Sequence, residues 1–334
     1  MRALLTLLHR WFGLAAALFL FIAGATGALI AWDHELDAAI NPQLYHARSG
    51  AAPLAMQDPG LALARRVEAQ DARLRVRYVQ LEVEPGHTAV MMVDPATDAH
   101  GQPYPLDFNQ IAVDPATGAI QGKRMWGAVS LAPENLLPFL YKLHYSLHIP
   151  SAGGIELGVW LMGVIGIVWV LDCFIALVLS FPSRRSWRKS FAFRWSAGGH
   201  KLNFDLHRSG GVWCWLLLLM LAVTSVSMNL NAQVMRPLVG AFSTLSADPF
   251  AARPAQATLV EPRISRERVL ALARDQALAR GWNTPAGAVF YASAVGLYGV
   301  GFFEPGNEHG DTGLGNAWLY FDAVTGQPAG ARIP

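Results

Sequence analysis

Cysteine is almost absent from this sequence, and charge is scarce. Only Cys173 and Cys214 occur, both inside long apolar runs, which excludes a disulfide framework, a zinc ribbon and a Cys-x-x-Cys-His haem attachment. Charged residues make up 15% of the 334 residues and hydrophobic ones 53%, a balance that excludes an ordinary soluble enzyme. The glycine-rich stretch 296–315 matches no phosphate-binding loop.

Three apolar runs, at 11–32, 155–181 and 211–230, are long enough to cross a bilayer, which takes about 20 residues. The tracts between and after them have ordinary polar composition. We therefore predict an α-helical membrane protein with three transmembrane helices and two water-exposed domains. The first run could instead be a cleaved signal peptide, but it exceeds the usual apolar core of about 7–15 residues, which favours a retained helix.

Basic residues concentrate between the second and third runs. The 182–208 loop carries seven Arg or Lys and a single acid, Asp205, whereas Asp33, Glu35 and Asp37 follow the first run. By the positive-inside rule the loop is cytoplasmic and both polar domains are periplasmic, in a bacterial inner membrane. A basic segment can also bind nucleic acid, but one held between two spans is better explained by topology, so we expect no nucleic-acid partner.

This topology divides the chain into six segments, which alternate between the bilayer and water. They are a first span at 1–32, a periplasmic domain at 33–150, a second span at 151–181, a cytoplasmic loop at 182–208, a third span at 209–231 and a second periplasmic domain at 232–334.

Both periplasmic domains show the same order of elements. A helical pattern at 59–70 is followed by alternating, strand-like stretches, and the helical pattern at 265–280 is followed in the same way. Each copy contains a turn of the form hydrophobic-Asp-x-x-Thr-Gly, at 113–118 and 321–326. The repetition predicts two copies of one α+β domain.

A histidine lies close to an end of each of the three apolar runs. On the predicted topology His9 and His207 lie at the cytoplasmic edge, and His34, His144 and His148 lie at the periplasmic edge. Two histidines that hold one haem iron from opposite sides must come from different helices at the same depth. His9 and His207 meet this condition if the first and third spans are neighbours.

The periplasmic set is less well defined. His144 and His148 are spaced i, i+4, so they share a helix face and cannot hold one iron from both sides; His34 is the best-placed opposite ligand. Any histidine at the end of a span could instead simply lie at the membrane interface. His200 is expected too far into the cytoplasm to bind the same iron as His207. The remaining histidines are expected at the solvated surface: His46, His87, His100 and His309.

Asp172 lies well inside the second run. A carboxylate at this depth is costly unless it is paired or neutral, which makes it a functional candidate. Two interpretations remain open. It could act in a proton relay, as in a transporter component, or it could be a protonated side chain bonded to a neighbouring Ser, Thr or Trp.

The motifs around the histidines resemble those of the PepSY-associated transmembrane proteins, which are iron-regulated inner-membrane proteins. The matching motifs are LHRWxG at 8–13, ELD at 35–37 with NP at 41–42, LHYSL at 143–147 and DLHRxxG at 205–211. The Asp-x-x-Thr-Gly turns look like those of PepSY domains, and the resemblance covers nearly the whole chain.

The resemblance implies a haem-b protein, with one or two non-covalent haems, that reduces ferric siderophores at the periplasmic side. It implies haem ligation by the positions of His9, His144 and His207, and leaves the electron donor open between a quinol and a cytoplasmic reductase. Relatives usually continue into a fourth span that opens with another Leu-His, whereas this sequence ends at Pro334. Either the chain is truncated, or His34 or His148 substitutes, or only the cytoplasmic haem is held.

A function of a different class also fits these residues. The chain could be a non-catalytic, membrane-anchored module whose PepSY-like domains grip a periplasmic partner or regulate a protease. In that case the histidines would be structural.

Overall fold

The computed structural model describes the chain except residues 51–56, 186, 252, 254, 257, 308–314 and 334. His309 and part of the glycine-rich stretch 296–315 therefore lie outside the described residues. The chain forms two compact units. We call Met1–Trp32 with Leu140–Leu245 the helical unit, and Asp33–Phe139 with Ser246–Pro334 the sheet unit.

The helical unit is built around one central helix. Its main elements are α1 (Arg2–Ile30), the end of α5 (Pro133–Ser146), α6 (Leu157–Ser180), α7 (Gly199–Trp213), α8 (Trp215–Asn229) and the short α9 (Arg236–Gly240). α6 packs against both α1 and α8. A Cβ at Gly163 would overlap the side chain of Leu230, and one at Gly166 would lie 3.1 Å from Val226, so glycine on α6 lets α8 approach closely.

The third predicted span differs from a straight helix. α1 and α6 are each long and apolar enough to cross a membrane, but α7 and α8 meet at Cys214 with a bend of 67°. α8 alone has 15 residues, about 22 Å of helix, which is shorter than a hydrocarbon core of about 30 Å. Gly210 and Gly211 precede the bend and weaken the helix there. The described residues thus contain two candidate spans, or three if the bent pair counts as one.

The sheet unit contains one antiparallel sheet of eight strands, in the order β4-β3-β2-β1-β5-β6-β7-β8. The strands are β1 (Leu74–Gln80), β2 (Ala89–Pro95), β3 (Gln110–Val113), β4 (Ile120–Arg124), β5 (Ala286–Ala292), β6 (Leu297–Phe302), β7 (Ala317–Asp322) and β8 (Pro328–Arg332). Its helices are α2 (Asp33–Ile40), α3 (Pro42–Tyr45), α4 (Pro59–Gln70) and α10 (Arg266–Ala279), with the start of α5.

Each predicted repeat forms a helix followed by a four-stranded meander. The two meanders join at their first strands, where Val79 of β1 lies opposite Val289 of β5. α4 and α10 contribute buried residues such as Val67 and Val269 to one hydrophobic core shared by both repeats. The junction pairs two strand edges that would otherwise be exposed.

The Asp-x-x-Thr-Gly turns adopt the same structure in both repeats. Oδ1 of Asp114 accepts a hydrogen bond from the backbone N–H of Thr117 at 3.1 Å, and Oδ1 of Asp322 accepts one from Thr325 at 2.8 Å. The glycine that closes each turn has a φ of 71° in the first repeat and 75° in the second, a conformation that favours glycine.

Asp322 is expected to make the stability of the second repeat depend on pH. Partial burial opposes its ionisation, but hydrogen bonds from Thr325 and the guanidinium of Arg253 outweigh burial and lower its pKa to about 2. Because an unfolded aspartate has a pKa of about 3.9, the carboxylate stabilises the fold above that pH, and the contribution is lost as the pH falls towards 2. We expect Asp322→Asn to unfold at a lower temperature than wild type at neutral pH.

The difference in unfolding temperature between wild type and Asp322→Asn should shrink as the pH falls from about 3.9 to about 2. Thermal unfolding of both proteins in detergent, measured at each pH, checks the prediction. A difference that stays constant down to the lowest pH would contradict it.

Candidate functional site

His9 and His207 come together in the helical unit. Their ring centroids are 5.8 Å apart and the ring planes are inclined by 42°. His9 comes from α1, whereas His207 comes from α7, ahead of the bend. The two imidazoles therefore approach each other from different helices, and the ring of His207 is exposed beside the half-buried His9.

Asp172 of α6 binds the ring of His9. Nδ1 of His9 lies 2.9 Å from Oδ1 and 3.1 Å from Oδ2 of Asp172, and the carboxylate side chain is 13% exposed. The partner of this carboxylate is thus a histidine, not the Ser, Thr or Trp considered from sequence. With Nδ1–H donated to the carboxylate, the lone pair of Nε2 remains available as a ligand.

Glycine follows each histidine by about one helical turn. A Cβ at Gly13 would meet only Oδ2 of Asp172, at 4.0 Å, and one at Gly210 or Gly211 would have no neighbour within 4 Å. The helix surfaces next to the two imidazoles are therefore free of side-chain bulk. A flat macrocycle held between the rings would find open space there.

Asp205 anchors the helix that carries His207. This carboxylate is fully buried and accepts hydrogen bonds from Nε and Nη2 of Arg194 at 2.7 and 2.8 Å, and from Nη2 of Arg208 at 3.2 Å. A bidentate contact between arginine and carboxylate fixes the relative orientation of the two groups and also pairs their charges. In the DLHR motif, the aspartate and arginine thus tie α7 to the basic loop, and the histidine between them stays exposed.

His144 has surroundings like those of His9. It lies in the last turn of α5, and its Nδ1 is 2.9 Å from the carbonyl oxygen of Ala23 and 3.1 Å from Oγ1 of Thr26. A Cβ at Gly27 would lie 3.0 Å from Cε1 of His144, so glycine in α1 makes room for the ring. Nδ1–H is again donated to a neighbouring oxygen, which leaves Nε2 available.

The expectation that His148 shares a helix face with His144 is wrong. α5 ends at Ser146, and Leu147 and His148 have φ values of 53° and 55°. This left-handed turn comes just ahead of Pro150, which cannot continue a helix. The spacing of four residues therefore does not place the two rings one above the other.

The other histidines fall in different places. His34 belongs to the sheet unit, in the first turn of α2, and its ring packs edge-on against Tyr45 with centroids 4.9 Å apart. His46 is exposed, as expected, whereas His87 is half-buried, so the expectation of a solvated surface is wrong for His87 alone; the ring centroids of the two lie 5.5 Å apart. They meet because an isolated antiparallel bridge pairs the two residues. Both His100 and His200 are exposed.

Sequence reasoning missed a buried ion pair that explains the ELD and NP motifs. Asp37 and Arg124 have side chains only 4% and 6% exposed and form a salt bridge. Asp37 also accepts hydrogen bonds from Asn41 at 2.6 Å and from the hydroxyl of Tyr45 at 2.7 Å. Arg124 further donates to the carbonyl of Glu134 at 3.1 Å, so the network holds α2, α3 and the start of α5 on β4.

Within the part of the chain that the structure describes, no group of three or more His, Cys, Asp or Glu side chains is arranged to hold a metal ion. His9 and His207 bring together two imidazoles from two different helices. Such a pair suits a metal that arrives with its other ligands already in place.

The family described as the PepSY-associated TM region matches residues 6–323. The chain belongs to this family. Together with the apolar helices, this membership makes it a membrane protein with an antiparallel sheet domain. A search of the curated proteins found no match.

Proposed function

We propose that this PepSY-associated protein is an inner-membrane haem-b protein that passes electrons outward to ferric siderophores in the periplasm. The observation that carries the proposal is the meeting of His9 and His207, with Asp172 bound to Nδ1 of His9. The proposal places the basic loop in the cytoplasm and the sheet unit in the periplasm, as the charge distribution favours.

The residues fit a haem bound by two imidazoles. His9 and His207 would be the residues that hold the haem, since their ring centroids lie 5.8 Å apart on two different helices. The haem would supply an iron that takes up and releases single electrons. The absence of bulk at Gly13, Gly210 and Gly211 leaves room for its flat ring.

Asp172 gives the first histidine a fixed orientation. The carboxylate holds the proton of His9 on Nδ1 and makes Nε2 a stronger donor, as partners of metal-bound histidines do. Burial of Asp172 in the middle of a candidate span is costly, and the contact with His9 offsets that cost. The proposal thus accounts for the one carboxylate of α6.

A second haem position is proposed at the other end of α1. His144 bonds to Ala23 of α1, which lies fourteen residues after His9, about 21 Å along the helix axis. Its Nε2 is available in the same way as that of His9. His144 would be one ligand of this outer site, with His148 remaining as a candidate for the opposite ligand.

The direct test is the absorption spectrum of the full chain, expressed with sufficient haem and purified in detergent, before and after addition of dithionite. We expect the sharp α-band of a reduced b-type haem with two imidazole ligands. The reduced protein should then transfer electrons to a ferric siderophore, with the Fe(II) trapped by a ferrous chelator. A protein free of haem would overturn the proposal and favour the non-catalytic binding module.

Asp172 provides a more specific prediction. We call the proposed haem site of His9 and His207 the inner site. Asp172→Ala should weaken haem binding at the inner site by about 10- to 100-fold, the usual effect of removing a partner of a metal-bound histidine. Asp172→Asn keeps a hydrogen-bond acceptor but removes the negative charge, so haem should stay bound with a raised midpoint potential. Redox titration followed at the α-band measures the shift.

Cys173→Ala is the matched control, because it changes the neighbouring residue of α6 and leaves the contact with His9 intact. A midpoint potential and haem content unchanged in both Asp172 variants would show that Asp172 does not act on the inner site.

A further inference from the structure

The loop that joins α6 to α7 is folded against both helices, and its residues Trp187–Phe191 form a short 3₁₀ helix. The hydroxyl of the buried Ser190 donates a hydrogen bond of 2.6 Å to the carbonyl of Ser180 at the end of α6. From α7, Nη2 of Arg208 donates one of 2.6 Å to the carbonyl of Lys189. These contacts fix the backbone of the loop. The exposed side chains of the described residues in 184–195 therefore form a defined surface, which we call the loop surface.

Most of the positive charge on the loop surface and on α7 lacks a carboxylate partner. Arg194 and Arg208 share the carboxylate of Asp205. Five other basic residues are exposed, and among the described residues none of them forms an ion pair: Arg184, Arg185, Arg188, Lys189 and Lys201. Like charges held on one short segment create a positive potential, which attracts an anionic ligand.

Three exposed tryptophans accompany these charges. Trp187, Trp195 and Trp213 are 49%, 71% and 65% exposed. Trp213 is held in place because its Nε1 donates to the carbonyl of Phe191 at 3.1 Å, and Cζ of Arg188 lies 5.8 Å from the ring centre of Trp187. At a membrane–water interface the apolar part of an indole meets lipid and its N–H meets the headgroups. Tryptophan beside unpaired basic residues is thus typical of a surface that contacts lipid headgroups.

The bend at Cys214 directs α7 away from the axis of α8. Since the two helices meet at 67°, α7 runs closer to the plane of a membrane than to its normal when α8 crosses that membrane. Lys201 and Asp205 of α7 carry charge that is costly in the hydrocarbon core, whereas Phe204 and Leu206 are exposed apolar side chains on the same helix. A helix of this composition and direction is suited to the membrane interface.

We propose that the loop surface binds anionic phospholipids, with Arg184, Arg185 and Lys189 in contact with the lipid phosphates. Guanidinium groups match phosphate oxygens in a bidentate manner, and lysine adds a point charge. A glycerol headgroup leaves the lipid with a net negative charge, whereas choline neutralises its own phosphate, so the loop surface favours the first lipid over the second.

A lipid accounts for more of these features than an acidic protein does. An acidic protein would match the charge of the loop surface, but it would explain neither the three exposed indole rings nor the direction of α7. The inference needs only that the helical unit lies in a membrane, so it does not depend on haem or on the proposed electron transfer.

The test titrates the full chain, in a neutral detergent, with short-chain lipids and counts the bound lipids by native mass spectrometry. The probes are phosphatidylglycerol and phosphatidylcholine with identical acyl chains, so their affinities differ through the headgroup alone. Inorganic phosphate is added as a competitor, because it separates a site for lipid from a site for free phosphate.

The loop variant combines Arg184→Gln, Arg185→Gln and Lys189→Gln. The matched control removes the same charge from exposed arginines of the sheet unit that form no ion pair with the described residues: Arg48→Gln, Arg263→Gln and Arg268→Gln. A third variant, Arg184→Lys with Arg185→Lys, keeps the charge of the loop surface.

We expect wild type to bind phosphatidylglycerol more tightly than phosphatidylcholine. Each basic residue near an anionic surface contributes about fivefold in affinity. The loop variant should therefore bind phosphatidylglycerol about 100-fold more weakly, with its affinity for phosphatidylcholine unchanged. The control variant should bind both lipids like wild type, and the lysine variant should keep the preference for phosphatidylglycerol.

Equal affinity of wild type for the two lipids would overturn the inference and favour an acidic protein as the partner of the loop. An equal loss of affinity in the loop and control variants would show that net charge, and not the loop surface, binds the lipid. Displacement of phosphatidylglycerol by an equal concentration of inorganic phosphate would contradict the assignment to lipid. If the lysine variant lost the preference as fully as the loop variant, positive charge would not be what selects the lipid.

Discussion

Replacing either His9 or His207 by alanine is expected to remove the same haem from the purified protein. Their ring centroids lie 5.8 Å apart on two different helices, and each variant would remove one of the two imidazoles that would hold the haem. The ratio of haem to protein, with the intensity of the reduced α-band, measures the loss. Because the ligands act as one unit, the double variant should lose no more haem than either single variant.

His200→Ala is the matched control for this experiment. His200 lies on the same helix as His207 but is exposed in the first turn of α7, so its removal should leave the haem in place. His144→Ala should remove only a second, spectroscopically distinct haem. Full haem content in both the His9 and His207 variants would refute the inner site.

Local patterns predicted the helix and the strands of each repeat because the determinants of these elements are local. The alternation of strand residues and the Asp-x-x-Thr-Gly turns of Asp114 and Asp322 act within a few positions of the chain. The pairing of the two meanders with each other could not be predicted from such local patterns. Val79 and Val289 meet across the junction, and nothing in either strand pattern specifies which edge it pairs with.

The same limit applies to the candidate site. The candidate histidines could be identified from the sequence because each lies close to an end of an apolar run. The partner of His9, by contrast, lies 163 positions away at Asp172, and the partner of Asp37 lies 87 positions away at Arg124. Long-range contacts of this kind depend on helix packing, and one sequence carries no signal that pairs them.

Errors in the sequence interpretation arose where a local break interrupts a pattern. The apolar run 211–230 continues across Cys214, but the helix bends there by 67°. His144 and His148 keep a helical spacing although the helix stops at Ser146. Hydrophobicity and residue spacing predict the kind of secondary structure in a segment more reliably than they predict where that structure begins and ends.

Asp37→Ala is expected to have the largest effect on the stability of the sheet unit. It leaves Arg124, 6% exposed, as a buried charge without its carboxylate, and breaking such a pair costs about 3–5 kcal/mol. The Asn41 amide and the Tyr45 hydroxyl lose their acceptor at the same time. Burial, and then the hydrogen bond to Asp37, raises the pKa of Tyr45, so its hydroxyl remains a donor at any ordinary pH.

A double substitution separates the buried charge from the lost contact. Asp37→Leu combined with Arg124→Met removes both charges together, and it should be clearly more stable than Asp37→Ala because no isolated charge remains. Asp71→Ala serves as the control, since the pair of Asp71 with Arg73 lies near the surface and water takes over its solvation. Urea unfolding of the full chain in detergent ranks the variants. If the double variant were no more stable than Asp37→Ala, the cost would come from lost packing of α2 and α3 instead of the unpaired guanidinium.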